Sequence, residues 1–351
     1  MPPSRDPTSP LAVLRALPRA VDDLPIWAQL NITWKCNLDC AYCTEYDNGK
    51  GHVPKDEVIR RIDKCKELGV RHTDLIGGEP MLHPDVFELM RAVVDRGMTT
   101  GMTTNGFLLN EDRLTQLIDA GMGRIQISVD AVHPTREAPK SLKTLRHKIE
   151  MVARRAAQAG VWFYVNTVIC DQTLDDVEEV ARTCFDLGVG IQFSVVHARG
   201  RLVRRPNDAR FLEKVRWLRD QKLRGAPVHT PYFLIHYYEE SLQGRPVEWT
   251  CQAGSKTFYV SPEGHFHFCY HVAPQGELHD VTRAQLAGNR GKKGCEDRCG
   301  VDCVLHTSLP FSKLGMVMRI EARDRIKAAA MRLGMLPGPA PEEPSGTRTA
   351  D

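Results

Sequence analysis

The sequence predicts an α/β fold, a partial (β/α)6 barrel followed by a small cysteine-rich C-terminal domain. From about residue 27 to residue 206, six short β-rich runs alternate with longer segments whose apolar residues recur three and four positions apart. Gly69, Gly97 and Gly188 stand where three of these helical segments should end. Successive strand–helix units build a parallel sheet, and ligands bind at the carboxyl ends of its strands. The functional residues are therefore expected at those strand ends.

The predicted elements follow one another in a regular order. The six strands are "WAQLNITW", "VRHTDLIG", "MTTGMTTN", "RIQISVD", "VWFYVNTVIC" and "VGIQFSVV". Helical patterns such as "PKDEVIRRIDKCKELG" lie between them, and a later hairpin should turn at Pro262, Glu263 and Gly264. The predicted domains are an N-terminal extension over 1–26, the barrel over 27–206, a helical linker over 207–250, the cysteine-rich domain over 251–334 and a disordered tail over 335–351.

The composition is that of a soluble enzyme. The 351 residues are 42% apolar and 26% charged, and the net charge is only +3, which argues against nucleic-acid binding through bulk charge. No apolar run reaches the roughly 20 residues that span a bilayer. Arg15, Pro18 and Arg19 interrupt the N-terminal stretch, where a signal peptide needs a continuous apolar core. We therefore expect a cytoplasmic protein without a transmembrane segment.

The cysteines are numerous and unevenly placed. Three of the eleven fall within residues 36–43 and five within 251–303, while Cys65, Cys170 and Cys184 stand alone. Thiols stay reduced in the cytoplasm, so clustered cysteines there indicate metal binding or catalysis rather than disulfides.

The first cluster consists of Cys36, Cys40 and Cys43, on a loop directly after the first predicted strand. This spacing lets three thiolates converge on one site. A structural zinc site usually has four protein ligands, and no fourth cysteine is near in the sequence. An iron–sulfur cube can take three thiolates and leave one iron open to a small molecule. Half of a zinc site is the alternative.

The segment "CNLDCAYC" resembles the Cys-x3-Cys-x2-Cys signature of the radical S-adenosylmethionine (SAM) superfamily, including an aromatic residue, Tyr42, before the last cysteine. The resemblance implies a [4Fe–4S] cluster at Cys36, Cys40 and Cys43 whose open iron chelates SAM. It also implies that SAM is cleaved reductively to a 5′-deoxyadenosyl radical, which abstracts hydrogen from a substrate. A reductant of the flavodoxin or ferredoxin type would supply the electron.

Further motifs agree with this resemblance because they stand at successive strand ends. "GGEP" follows the second strand, "TTNG" ends the third and "SVD" ends the fourth. "GGEP" alone fits a tight turn and "SVD" alone fits a strand end with a helix cap equally well, and the glycine motif expected near the adenine is not evident in "GVGIQFSVV". The SAM-binding residues implied by the resemblance are Tyr42, Gly77, Gly78, Glu79, Pro80, Asn105, Ser128, Asp130 and Asn166.

The second cluster begins with Cys251, then Gly264 and Cys269, a spacing that resembles the opening of the SPASM or Twitch module. The resemblance implies one auxiliary [4Fe–4S] cluster. The continuation departs from the usual SPASM pattern and offers five cysteines for four positions, without saying which is spare. A structural zinc site is the alternative. The candidate ligands are Cys251, Cys269, Cys295, Cys299 and Cys303.

The substrate is the least determined part of the prediction. Because only about 26 residues precede the first strand, we expect a small molecule rather than a peptide, in a biosynthetic oxidation, rearrangement or bond formation. A ribosomal-peptide maturase of the SPASM type is one alternative, and a non-catalytic iron–sulfur or zinc redox protein is another. Cys170 is a weak catalytic candidate, since a thiol at the end of the fifth strand could return hydrogen to a substrate radical; a small buried side chain is the simpler reading.

Overall fold

The computed structural model describes residues 24–198, 201–202, 208–245 and 247–337. The predicted N-terminal extension lies outside the described residues up to residue 23, and the predicted tail does so from residue 338. Within the described ranges, parallel strands β1 to β6 pair in sequence order and confirm the predicted α/β partial barrel. Their bounds are Trp27–Asn31 (β1), His72–Ile76 (β2), Thr99–Thr104 (β3), Arg124–Ser128 (β4), Trp162–Ile169 (β5) and Gly190–Val195 (β6).

The helices between these strands bury one apolar face each. In the first of them the buried residues Val58, Ile62 and Cys65 recur three and four positions apart and join the core. Gly69 ends this helix with φ 92° and donates its N–H to the Cys65 and Lys66 carbonyls, as expected from the sequence. The helices are Lys55–Leu68 (α1), Val86–Asp95 (α2), Glu111–Asp119 (α3), Leu142–Ala159 (α4) and Val177–Asp186 (α5).

The cysteine-rich segment continues the barrel sheet. Strand Thr257–Val260 (β9) runs parallel to β1, and the hairpin predicted from the sequence returns through His265–His267 (β10) to Gly276–Glu277 (β11). Among the described residues these strands extend the sheet to nine, in the order β11-β10-β9-β1-β2-β3-β4-β5-β6. The second cysteine cluster therefore lies beside the strand that leads into the first. A separate two-stranded ribbon pairs His197–Ala198 (β7) with Arg201–Leu202 (β8).

Helices complete the C-terminal half. Asp208–Arg224 (α6) and Tyr232–Leu242 (α7) lie in the segment predicted as a helical linker and pack against Leu314–Arg332 (α10). Arg283–Gly288 (α8) and Asp302–Ser312 (α9) belong to the cysteine-rich segment. Among the helices that the structure describes, none combines the length and apolarity needed to cross a membrane.

Paired polar side chains fill the amino-terminal end of the barrel interior. Asp74 of β2 accepts hydrogen bonds from Trp27 Nε1 at 2.8 Å and lies 2.7 Å from an Arg124 Nη atom. Burial opposes ionisation of Asp74, but Arg124 and His72 outweigh it and hold its pKa well below the usual range. Arg124 also donates to the Tyr164 hydroxyl at 2.6 Å. Because this end is filled by groups that satisfy one another, the carboxyl ends of the strands remain for ligands.

Candidate active site

The chain that leads from β1 into the cysteine loop lies directly against the "GGEP" turn. The Gly78 N–H donates to the Thr33 carbonyl at 3.0 Å, and the Glu79 N–H donates to the Lys35 carbonyl at 2.8 Å. A Cβ atom would stand 2.6 Å from the Thr33 oxygen if placed on Gly77, and 2.5 Å from the Lys35 oxygen if placed on Gly78. Both glycines are therefore required because the two backbones touch, one residue before Cys36.

The Glu79 side chain joins the ends of two strands. Its carboxylate is fully buried and accepts hydrogen bonds from the Met81 N–H (3.0 Å), the Thr104 hydroxyl (2.8 Å) and the Asn105 N–H (2.7 Å). Burial raises its pKa, and these donors oppose that rise. Pro80 starts the short 3-10 helix Pro80–Leu82 behind it. The structure thus gives Glu79 three protein partners that fix the position of Asn105.

Asn105 lies beside the first cysteine. Its Nδ2 donates to Asn37 Oδ1 at 2.8 Å and is 3.9 Å from Cys36 Sγ, while the Leu38 N–H lies 3.4 Å from the same sulfur. Burial raises the pKa of Cys36, and the Leu38 and Asn105 donors oppose that rise. Hydrogen bonds from N–H groups to sulfur favour a thiolate and tune a metal bound to it. This end of the site is therefore prepared for a metal-bound thiolate.

The other end of the loop is fixed by a charged group of three side chains. The Tyr42 hydroxyl donates to Asp130 Oδ2 at 2.5 Å, and Lys140 Nζ lies 2.8 Å from the same oxygen. Asp130 Oδ1 accepts from the Val168 N–H at 2.8 Å. The carboxylate is fully buried, so these partners compensate for its removal from water. Tyr42 and Asp130, both predicted to bind SAM, are found here tying the cysteine loop to the ends of β4 and β5.

Lys140 places a cation beside two of the thiols. Burial raises the pKa of Cys40 and brings that of Cys43 to about 11, and in both cases the Lys140 ammonium opposes the rise. Burial also opposes the charge of Lys140, but Asp130 and Cys40 outweigh it and raise the pKa of the amine. The sequence analysis missed Lys140, because it lies in an irregular segment with no motif and only the fold brings it to the cysteines.

Polar side chains continue along the neighbouring strand ends. Ser128 of β4 is directly opposite Asn166 of β5, which is opposite Gln192 of β6. The structure therefore brings the two predicted residues together and adds a third. Gln192 donates from Nε2 to Asp302 Oδ2 at 2.8 Å, which connects this row to the first turn of α9.

The isolated cysteines are buried. Cys65 and Cys184 are fully enclosed in α1 and α5, as the helical pattern predicts. Cys170 is also buried, and its sulfur lies 3.1 Å from the Thr173 hydroxyl. Burial raises the pKa of Cys170, which keeps it a neutral thiol near neutral pH. Its catalytic role stays a prediction.

Two buried aromatic side chains connect the loops of the second cysteine cluster. Trp249, two residues before Cys251, donates from Nε1 to the Glu296 carbonyl at 3.0 Å. The Tyr237 hydroxyl of α7 donates to the Cys299 carbonyl at 2.8 Å. Both rings are almost completely buried. The segment before Cys251 and the turn between Cys295 and Cys299 are therefore held against each other by hydrogen bonds sheltered from water.

Cys269, just after the β9–β10 hairpin, lies close to the Cys251 loop, because the backbone of Gly254 packs against the Phe268 ring. Gly254 has φ 82°, and a Cβ on it would stand 2.3 Å from the ring of Phe268, the neighbour of Cys269. The Ala253 N–H donates to Cys251 Sγ at 3.4 Å. Cys251 and Cys269 thus lie on loops in direct contact, and burial with the nearby Cys269 and Cys295 thiols raises the pKa of Cys251 to about 12.

The donor sets suit iron–sulfur clusters. Three thiols with N–H donors and a nearby cation form one set, and five thiols form the other; thiolates are the standard ligands of such clusters. Within the described part of the chain, no three His, Cys, Asp or Glu side chains are gathered closely enough for a single metal ion. The fold and these thiol sets define an α/β partial-barrel protein with cysteine sites at its strand ends.

Comparison with protein families identifies this class further. Residues 30–184 match the family described as the Radical SAM superfamily. These residues include the cysteine loop and strands β2 to β5 with their helices. This segment of the chain is therefore similar to the Radical SAM superfamily.

Two curated relatives share part of the sequence. The PqqA peptide cyclase of Bradyrhizobium diazoefficiens (strain USDA 110) is 26% identical over 253 residues, which are 69% of this chain and 65% of that protein. The PqqA peptide cyclase of Rhizobium meliloti (strain 1021) is 31% identical over 175 residues, 49% of this chain and 46% of that protein. The chain spans less than two thirds of the length of either relative.

Solved structures show the same fold at low identity. Streptococcus suis SuiB bound to the precursor peptide SuiA has a TM-score of 0.60 and 16% identity, covering 79% of this chain and 69% of SuiB. Native anSMEcpe with bound AdoMet and Kp18Cys peptide has a TM-score of 0.58 and 16% identity, covering 85% of this chain and 99% of that protein. These similarities support the fold, including its cysteine-bearing C-terminal region.

Proposed function

We propose that this chain is a radical SAM enzyme that modifies a peptide. The observation that carries the proposal is the cysteine loop itself. Its three thiols lie at the carboxyl end of β1, with N–H donors at Cys36 and the Lys140 ammonium beside Cys40 and Cys43. A site with three thiolates rather than four leaves one iron of a cube available to a ligand.

The residues of the chain have distinct tasks in this proposal. When bound, a [4Fe–4S] cluster with one open iron supplies the electron that cleaves SAM to methionine and a 5′-deoxyadenosyl radical. Asn105 directs its amide at Cys36 and so favours the thiolate. Lys140 offsets the negative charge of the other two thiolates. Ser128 and Asn166, side by side at the strand ends, suit the hydroxyl and carboxylate groups of SAM.

A peptide replaces the small molecule expected from the sequence. That expectation rested only on the short stretch before β1. Similar proteins that cyclise or bind peptides are stronger support for a peptide substrate. The two curated relatives are PqqA peptide cyclases, and SuiB and anSMEcpe are recorded with peptides bound. We infer the same class of substrate for this chain, together with an auxiliary [4Fe–4S] cluster in the C-terminal cysteine site.

The cleavage activity is tested anaerobically. The protein is reconstituted with iron and sulfide, given SAM, and reduced with dithionite in place of the flavodoxin or ferredoxin expected in the cell. We expect 5′-deoxyadenosine from the wild type and from Cys65→Ala, whose thiol is buried in the core, but none from the Cys36→Ala/Cys40→Ala/Cys43→Ala variant. Zinc in place of iron and sulfide in the anaerobically purified protein would overturn the enzyme assignment.

The substrate class is tested by co-expression. The enzyme is produced with short peptides encoded beside its gene, and the recovered peptides are weighed by mass spectrometry. We expect a peptide whose mass changes only with the active enzyme and that increases 5′-deoxyadenosine formation in vitro. Turnover that rises with a small-molecule extract and with none of the peptides would return the assignment to a small metabolite.

A further inference from the structure

The five C-terminal cysteines are not in equivalent surroundings. A cube takes four thiolates at most, so one of the five is spare if the auxiliary cluster of the proposed function exists. The sequence does not distinguish them, because Cys295, Cys299 and Cys303 follow one another at equal spacing. The contacts of the five cysteines do distinguish them.

Four of these cysteines lie on loops that are fastened to one another. Trp249 connects the segment before Cys251 to the turn after Cys295 through the Glu296 carbonyl. The contact of Gly254 with Phe268 holds the Cys251 and Cys269 loops together. Tyr237 holds the Cys299 carbonyl from the other side. None of these contacts involves Cys303.

The environment of the Cys299 thiol agrees with this grouping. The Cys299 thiol lies near the thiols of Cys251, Cys269 and Cys295. The Val301 N–H, two residues further on, donates to its sulfur. The same relation holds at Cys251, where the Ala253 N–H reaches the sulfur. Such N–H donors two residues after the cysteine also mark Cys36 in the first site.

Cys303 lies near the Cys269 and Cys299 thiols, but its hydrogen bond leads to the barrel. It lies in the first turn of α9, and its sulfur donates to Gln29 Oε1 at 3.5 Å. Gln29 belongs to the barrel-facing side of β1, where its register partners are Asp74 and Tyr259. The residue before it, Asp302, accepts hydrogen bonds from Gln192 Nε2 of β6 at 2.8 Å.

The first turn of α9 is therefore connected to the inner face of the barrel on two sides. Cys303 reaches β1, and Asp302 reaches β6 and the Tyr238 hydroxyl of α7 at 3.1 Å. To become a ligand, Cys303 would have to release Gln29.

We propose that Cys251, Cys269, Cys295 and Cys299 ligate the auxiliary cluster, and that Cys303 is a free thiol on the barrel side of it. This assignment rests on the auxiliary cluster of the proposed function. A cube with four protein thiolates has no open iron, so the substrate does not bind to it directly. The cluster then accepts or donates electrons only, and Cys303 and Gln29 form the surface between it and the barrel interior.

The test uses the full chain with the first site emptied. In the Cys36→Ala/Cys40→Ala/Cys43→Ala background, iron and sulfide remaining after anaerobic reconstitution belong to the second site. Each C-terminal cysteine is then replaced by serine in turn, with Cys184→Ser as a matched control for a buried cysteine outside both sites. We expect about four irons per chain and an unchanged electron paramagnetic resonance spectrum for Cys303→Ser and for the control. The other four variants should lose most of the iron.

The outcomes separate this assignment from the proposed function. Absence of any iron–sulfur cluster in the starting triple variant would overturn the auxiliary cluster, and the assignment with it. A cluster that is present but is lost, or changes its spectrum, in Cys303→Ser would overturn the assignment alone. Serine keeps a donor for Gln29, and circular dichroism of the apo-proteins shows whether iron loss follows misfolding. Cys303→Ala repeats the measurement with no side-chain ligand at all.

Discussion

The two cysteine sites of this molecule are built in different ways. In the first, the three thiols lie close in sequence, and segments from distant strand ends hold the loop in place: "GGEP", Asn105, and the Tyr42–Asp130 pair. In the second, the thiols are spread from residue 251 to residue 303, and buried aromatic side chains join their loops through main-chain carbonyls.

The charges around the two sites differ as well. Lys140 and Asp130 stand beside the first, and Lys140 opposes the rise of the pKa of Cys40 and Cys43. At the second, burial and neighbouring thiols raise the pKa of Cys251 to about 12. A site that must take a polar, charged ligand such as SAM benefits from fixed charges and one open position. A site that only exchanges electrons can be enclosed by thiols and apolar side chains.

The largest effect on stability and iron content should come from replacing one glycine in each site by alanine. Gly78→Ala places a methyl group 2.5 Å from the Lys35 carbonyl, and Gly254→Ala places one 2.3 Å from the Phe268 ring in a backbone of positive φ. Each should destabilise the protein by about 2–3 kcal/mol and displace its own cysteine loop. We expect each variant to keep about four of eight irons, lost from opposite sites.

Iron analysis and electron paramagnetic resonance after reconstitution would show which cluster is missing. Gly51→Ala and Gly288→Ala are the matched controls, because a Cβ at either position meets nothing within 4 Å. If Gly78→Ala removed iron equally from both sites, the two sites would form one cooperative unit and would not be built independently.

A smaller effect should come from removing one hydroxyl in each site. Tyr42→Phe removes a hydrogen bond to the Asp130 carboxylate, whereas Tyr237→Phe removes hydrogen bonds to neutral carbonyls. Bonds to charged groups contribute more, so we expect losses of about 2 kcal/mol and about 1 kcal/mol. In an iron-chelator challenge, Tyr42→Phe should speed iron release from the first site by about 30-fold and leave the second unchanged. Equal rates of iron release from both sites in both variants would contradict the conclusion that each cysteine loop is held by its own hydrogen bonds.

Sequence patterns were sufficient for the strands and the hairpin, because these depend on local periodicity and spacing, whereas the ligand roles of both cysteine sets stay predictions. Gly77 and Gly78 are predicted to bind SAM, and the structure adds that a Cβ at either position would collide with the backbone of Thr33 or Lys35. Lys140 and Gln29 could not be found in this way. Each reaches its thiol only through tertiary packing. Lys140 is 97 positions from Cys43, and Gln29 is 274 positions from Cys303.

The continuity of the two sites in one sheet also escaped the sequence analysis. The cysteine-rich segment was expected as a separate domain, yet β9 pairs with β1 along four residues. A parallel pairing between strands more than two hundred residues apart leaves no local signal. This pairing brings the loops together at Thr44, whose carbonyl accepts from the Tyr270 hydroxyl at 2.6 Å, next to Cys269.

The smallest effect concerns Glu45, which lies where the two sites meet. Burial raises its pKa to about 8, and its charge acts on Cys43, Tyr259 and Tyr270. The folded protein therefore holds a proton that the unfolded chain releases near its ordinary pKa of about 4.3. Stability should fall as pH rises through this window, and Glu45→Gln should remove that fall. Because the side chain is partly exposed, we expect a relative gain of only about 1 kcal/mol between pH 5 and pH 8.5.

Urea unfolding of the apo-proteins between pH 5 and pH 8.5 measures this difference, because the Cys43 thiol, with a pKa of about 11, stays neutral in the folded protein over this range. Glu263→Gln is the matched control, because Glu263 lies in the turn of the β9–β10 hairpin and is paired with Lys50 at 3.2 Å. Burial opposes the charge of Glu263, but its hydrogen bonds outweigh burial and lower its pKa. This carboxylate therefore stabilises the fold above its ordinary pKa. Glu263→Gln should accordingly gain no stability over wild type as pH rises. If Glu45→Gln and Glu263→Gln followed the same pH dependence, Glu45 would be an ordinary surface carboxylate, and the boundary between the two sites would carry no buried proton.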